Sequence, residues 1–147
     1  VSAQGLASGV GALLTAGGLV WVSTSGDPGG TGNRAYDGEA PSTAALPFVA
    51  VQQSIPNVWS RSMTRTRQAH RCVIRATVTG KASQQVRQVA QKVIDALDGK
   101  RPTAAGWLTS PVELFNTRPL DVDRDVTTSH PVYTVLEFEY TATPGGA

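Results

Sequence analysis

His70 and Cys72 stand two residues apart, close enough to share one side of an extended strand. A thiol beside an imidazole is the arrangement of a cysteine nucleophile served by a general base. That chemistry also needs an oxyanion site and a group to orient the base, and no residue pattern supplies either. A structural zinc site needs four ligands, whereas His130 is the only other histidine and Cys72 the only cysteine. A packed thiol beside a hydrogen-bonded or partly exposed histidine is the simpler reading. Asp121, Asp123 and Asp125 space three carboxylates like the opening of a calcium loop, yet Val126 and Val132 stand where that loop needs Gly and Glu. On a strand they share a wet face. The run GDPGGTGN (residues 26–33) offers exposed backbone N–H groups, but a phosphate loop ends in Gly-Lys-Ser/Thr, and here Gly32 is followed by Asn33 and Arg34. No catalytic, cofactor-binding or metal-binding residue is expected.

Size and charge narrow the field further. The 147 residues suit one domain able to bury about 70% of its extended surface. A lone cysteine excludes an internal disulfide scaffold, so a core or a partner must supply stability. Residues 3–22 are uncharged, but only eight of the twenty are Leu, Val or Trp and five are Gly, too weak a composition for a membrane span. No basic residue precedes that run, as a signal peptide requires.

Elements follow from periodicity. Leu6, Val10, Leu13 and Leu14 mark a helix over residues 3–15. Its glycines cost helicity, and Gly5, Gly9 and Ala12 allow close approach of a neighbour or serve as fraying points. Gly17 and Gly18 stop it, and residues 19–24 suit a strand. Residues 25–33 read as a mobile loop and 34–41 as a turn-rich approach to a strand at Phe48–Gln53, closed by Pro56. The longest strand spans 64–79, with Arg65, Arg67, Arg71 and Arg75 on one face and His70, Cys72, Ile74, Ala76 and Val78 on the buried one. Residues 82–98 switch to helical period, with Ser83 as N-cap and Gly99 as stop. Short strands are expected within 107–115 and 120–127, a last strand at 132–142, and a flexible C-terminus at 143–147. Apolar faces on helix and strands that bury one another give one α+β domain over residues 1–147: a mostly antiparallel or mixed sheet against two helices.

Charge is segregated. Residues 55–101 hold ten basic and two acidic side chains, and residues 102–147 hold two basic and six acidic, although the whole chain carries only +2. The arginine strand can pair with Glu137 and Glu139 inside the chain, or the patches can meet between subunits. Nucleic-acid binding is the weakest of the three, because no recognition motif accompanies the arginines. Trp59, in an arginine-rich neighbourhood, is the best candidate for an interface anchor, with docking onto its own domain as the competitor.

The order of these elements resembles the tail-terminator family of long-tailed bacteriophages, also known as minor tail or tail-completion proteins. The resemblance rests on NRAYDGEAP (33–41) leading to LPFVAVQQ (46–53), HRCVIRATVTG (70–80) leading to VRQVAQKVIDAL (86–97), and the closing YTVLEFEY (133–140). It covers nearly the whole chain through organisation and residue classes. It implies a non-enzymatic virion protein, assembled in the host cytoplasm and placed at the head-proximal end of the tail. Copies of the protomer, usually six, would form a ring that caps the tail tube, stops its polymerisation and joins the head. Implied partners are the major tail-tube protein and a head-completion or connector protein. DNA would pass through the ring without specific recognition, and no membrane or cofactor is implied. Interface candidates are then Trp59, Arg65, Arg67, Arg71, Arg75, Asp121, Asp123, Asp125, Glu137 and Glu139. The glycine-rich residues 26–32 and the absence of an initiating Met depart from the family pattern. A head-to-tail adaptor or tube component is the alternative, and a Cys/His-dependent hydrolase a distant one.

Overall fold

In the computed structural model, residues 3–23, 33–40, 44–61, 68–123 and 130–145 are described. The first apolar stripe winds into α1 (Ala3–Ala16), with Leu6, Val10 and Leu14 at most 2% exposed. Neither end carries a charge that complements the helix dipole, so docking holds this helix. The glycines make that docking possible. A Cβ added at Gly9 would lie 2.6 Å from the Thr103 carbonyl oxygen, and one at Gly11 would overlap the Trp21 indole. Gly18, at φ +93°, ends α1, and Leu19 N–H donates back to the Leu14 carbonyl at 3.1 Å.

The second helix, α2 (Ser83–Leu97), buries Val86, Val89, Ala90, Val93, Ala96 and Leu97. Its N-cap is Ala82 without a side-chain cap bond, which corrects the assignment of that role to Ser83. Ser83 already lies in the first turn, and the nearby polar bond runs from Lys81 N–H to Gln85 Oε1 at 2.7 Å.

Both helices cover one face of a mixed sheet. β1 (Val20–Val22), β2 (Arg34–Asp37) and β3 (Phe48–Gln53) run parallel. β5 (Gln68–Gly80) lies antiparallel to β3, and β4 (Asn57–Arg61) continues along the same side of β5. β9 (Val132–Pro144) pairs antiparallel with β5 from His70↔Ala142 to Gly80↔Val132. The other side of β9 is lined in three pieces by β6 (Trp107–Thr109), β7 (Glu113–Thr117) and β8 (Asp121–Val122). Alternation along the strands sends Val49, Val51, Cys72, Ile74, Ala76, Val78, Leu136, Phe138, Tyr140 and Ala142 into the core with the helix stripes. This is the expected α+β arrangement. No helix among the described residues is long and apolar enough to cross a membrane.

Details differ from expectation. The segment read as turn-rich contains β2, because Arg34, Ala35 and Tyr36 are buried between β1 and β3, where context outweighs composition. Residues 107–115 hold parts of two strands, separated where Ser110 bonds Thr141. Of residues 120–127, only Asp121–Val122 form a strand among the described residues. β5 begins at Gln68, and residues 62–67 lie outside the described set. β9 runs on to Pro144, so Thr143 and Pro144 belong to a strand rather than to a free end. Residues 24–32, nearly all of the glycine-rich stretch, and residues 146–147 also lie outside it.

Candidate functional site

The alternation that turns Cys72 and Ile74 inward turns Arg71, Val73 and Arg75 to the helix-free face. On β9, Glu137 lies opposite Arg75 and Glu139 opposite Val73. Arg71 reaches diagonally: Nε donates to Glu139 Oε2 at 2.8 Å, and Nη2 lies 2.6 Å from the same oxygen. Glu137 is the better enclosed carboxylate, its side chain 12% exposed. Arg75 Nη2 lies 4.0 Å and Arg118 Nη2 3.7 Å from it, and Asn116 Nδ2 donates to Oε1 at 3.1 Å. Arg71 also stands 5.8 Å from the Phe115 ring centre, within cation–π range. Of the pairings open at the sequence level, the one within the chain is formed for Arg71, Arg75, Glu137 and Glu139. The Arg71 and Arg75 side chains remain about half exposed, 47% and 50%, so part of each guanidinium still faces water.

The edges carry a second pattern. Between Gln53↔Ile74 and Asn57↔Arg71, three residues of the β3–β4 strand oppose two of β5. Ser54 anchors the kink, donating N–H to the Val73 carbonyl and accepting Val73 N–H on Oγ, both at 2.9 Å. Ile55 is left 81% exposed. The register slips again between Val58 and Ser60, making Trp59 the extra residue, and between Leu114 and Asn116, making Phe115 the extra residue. Bulges re-aim side chains at sheet edges, and each of these three inserts a large apolar residue. Leu108 on β6 is 67% exposed and Phe115 on β7 44%. Sequence reasoning singled out Trp59 but missed Ile55, Leu108 and Phe115. Pro56, read only as a strand end, was the one available signal, because a bulge leaves no period of its own.

The remaining candidates are scattered. Asp121 is exposed on β8, and its Oδ1 accepts Val122 N–H at 2.8 Å. Asp123 follows that strand, its N–H donating to the Pro131 carbonyl at 2.8 Å. Arg65, Arg67 and Asp125 lie outside the described residues, as does the side chain of Trp59.

The thiol and imidazole do not form a reactive pair. Cys72 is buried, and its thiol is pushed up chiefly by burial, partly offset by a hydrogen bond with Tyr140. Burial also pushes the Tyr140 phenol up. Both stay protonated at neutral pH. His70 packs edge-on to Trp107 at 5.4 Å, with its Nδ1 buried and without a partner. His130 adjoins the opposite end of the β5–β9 ladder; ten rungs at about 3.3 Å each put the two histidines on the order of 30 Å apart. No cluster of three metal-binding side chains occurs among the described residues. A cleft of about 190 Å³ beside α1 is lined in part by Asp37, Gln53, Ser54, Cys72 and Tyr140.

Comparison with known proteins adds the context that geometry alone lacks. The sequence profile of a family described as "Tail completion protein gp17" matches residues 25–135. No curated protein matches the sequence. Among solved structures, a chain of the "Virion of native gene transfer agent (GTA) particle" superposes with a TM-score of 0.55 at 17% identity, over 74% of this chain and 78% of that one. At that identity what is shared is the fold.

Proposed function

The chain belongs to the tail completion protein gp17 family, and from that premise we propose that copies of it form a ring capping the tail tube. It is a non-enzymatic structural protein of the virion tail, at the head-proximal end. The ring, of six copies, stops tube polymerisation with one face and offers the other to the head. Its partners are further copies of itself, the major tail-tube protein and a head-completion or connector protein.

The observation that carries this reading is the family match across three quarters of the chain. A terminator has no reaction to perform. One face must bind the last tube subunit, and the opposite face must fail to reproduce the tube's surface, so that growth stops there. A ring built from unlike patches on either side of each protomer meets both needs, because head-to-tail contacts close when the rotation between copies returns to its start. Imaging of particles assembled without this protein tests the assignment. The expected result is overlong tails, or tails that do not join heads. A complete absence of tails would make the protein a tube component, and normal-length tails on heads with defective necks would make it an adaptor.

A further inference from the structure

The cleft beside α1 is floored by Leu6, Cys72 and Tyr140, each at most 4% exposed. Asp37 and Gln53 line it half-buried, and the kink at Ser54, Ile55 and Pro56 borders it. Pairing sets two of these groups on one wall. Asp37 stands opposite Val51, and Gln53 follows Val51 by two residues, on the same face and about 7 Å further along β3. Gln53 Nε2 donates to the Ala7 carbonyl at 3.4 Å, while its Oε1 accepts from none of the described residues. The Asp37 side chain has neither a hydrogen bond nor an ion pair among the described residues, and no Lys, Arg or His among them lines the cleft. Burial, with no cation to oppose it, holds that carboxyl above its ordinary value.

We propose that this cleft seats the guanidinium of an arginine presented by another protein subunit of the virion, with Asp37 as its counter-ion. A carboxylate half withdrawn from water is costly unless a cation or donors meet it, and the groups around Asp37 supply neither. Size selects the kind of occupant. At about 190 Å³ the cleft is smaller than the roughly 300–1,000 Å³ of small-molecule and cofactor pockets, and it suits a single side chain. A bare divalent ion would need several oxygen ligands, and no cluster of three metal-binding side chains occurs among the described residues. An aliphatic stem finds cover on Leu6, Ala7, Pro56 and the 81% exposed Ile55. Arginine fits better than lysine, because its planar fork of donors can serve Asp37 and Gln53 Oε1 together and because it is the more weakly hydrated cation. This inference rests on the virion assembly proposed above and names one point at which the chain meets a neighbour.

Two measurements test it, both with Asp37→Asn. That variant removes an unpaired charge and should keep or raise the melting temperature, so its losses are not those of an unfolded chain. In the first, Nα-acetyl-arginine amide is titrated into the purified protein at pH 7 while the amide resonances of Gly38, Gln53 and Ser54 are followed by NMR. They should shift and saturate. Nα-acetyl-citrulline amide, of nearly the same shape without the charge, should leave them in place, and Asp37→Asn should weaken the arginine probe about tenfold, the scale of one charge-assisted hydrogen bond. In the second, tails assembled without this protein are supplied with wild type or variant, and about tenfold more variant should be needed to complete them. Resonances that ignore the arginine probe, that answer both probes alike, or that answer it equally in wild type and variant would overturn the cleft as a cation site. A probe lost in the variant while tails are completed as well as by wild type would overturn the docking of a partner's arginine. Wild type that completes no tails would remove the virion assembly, and with it the docked subunit, while the titration still decides the cleft.

Discussion

At the Arg71–Glu139 pair two distances are short, yet both side chains are well exposed, 47% and 35%. Water screens such a pair, and its worth is about 0.2–1 kcal/mol. A double-mutant cycle with Arg71→Ala and Glu139→Ala should return a coupling in that range by denaturant unfolding, shrinking as salt is added. A coupling well above it would mean that the pair is less hydrated than its exposure indicates. Asp37 makes the stability depend on pH. Burial holds its carboxyl above the usual value of 3.8, so over the window just above 3.8 the unfolded chain loses its proton first and the fold loses stability as pH rises. Asp37→Asn should therefore raise the melting temperature at pH 7, and the gain should vanish below about pH 3, where both states of the wild type are protonated. A gain equal at both pH values would point to packing instead. The residues that chemistry alone nominated, His70 and Cys72, are packing groups, and Tyr140→Phe should cost about 0.5–1.5 kcal/mol through loss of its bond to Cys72.

The elements were legible in proportion to their period. The stripes of Leu6, Val10 and Leu14 and of Val86, Val93 and Leu97 read directly as helix faces, and Cys72, Ile74, Ala76 and Val78 as a strand's buried side, because each repeats often enough to define a direction. β2 and the splitting of residues 107–117 into β6 and β7 were not legible. Strands of three to five residues hold too few alternations, and here neighbours impose them. The candidate surface was half visible for the same reason. The charged face follows alternation, whereas the bulged Ile55 and Phe115 depend on a register set by another strand. Phe138, fully buried between α2 and the sheet, should cost about 3–5 kcal/mol when changed to Ala, read by denaturant unfolding. Gly9→Ala gives a sharper test of how α1 is held. Alanine normally favours a helix over glycine by about 1 kcal/mol, but here its methyl meets the Thr103 backbone. The substitution should destabilise by about 1–3 kcal/mol, while Ser8→Ala, on the exposed side of the same helix, should be neutral or stabilising.

For the whole molecule, segregated charge and outward apolar residues predict different salt responses for encounter and for holding. Assembly of the ring proposed above should slow as salt rises through the physiological range where unlike charges steer the encounter, while apolar contacts, once made, are not screened. Light scattering during a salt jump checks this, and equal slowing of association and acceleration of dissociation would assign the contact to charge alone. The topology carries one more consequence. β9 follows every other described element in the chain, yet it is the partner of β5 on one side and of β6, β7 and β8 on the other. A ribosome therefore delivers the keystone after the stones that lean on it. Until Val132–Pro144 has emerged from the exit tunnel, Ile74 and its neighbours have no roof on that flank, and three short segments have nothing to lie against. A chain cut before residue 132 would lack the strand that four others pair with and would be fit for chaperones or proteases rather than a smaller working part.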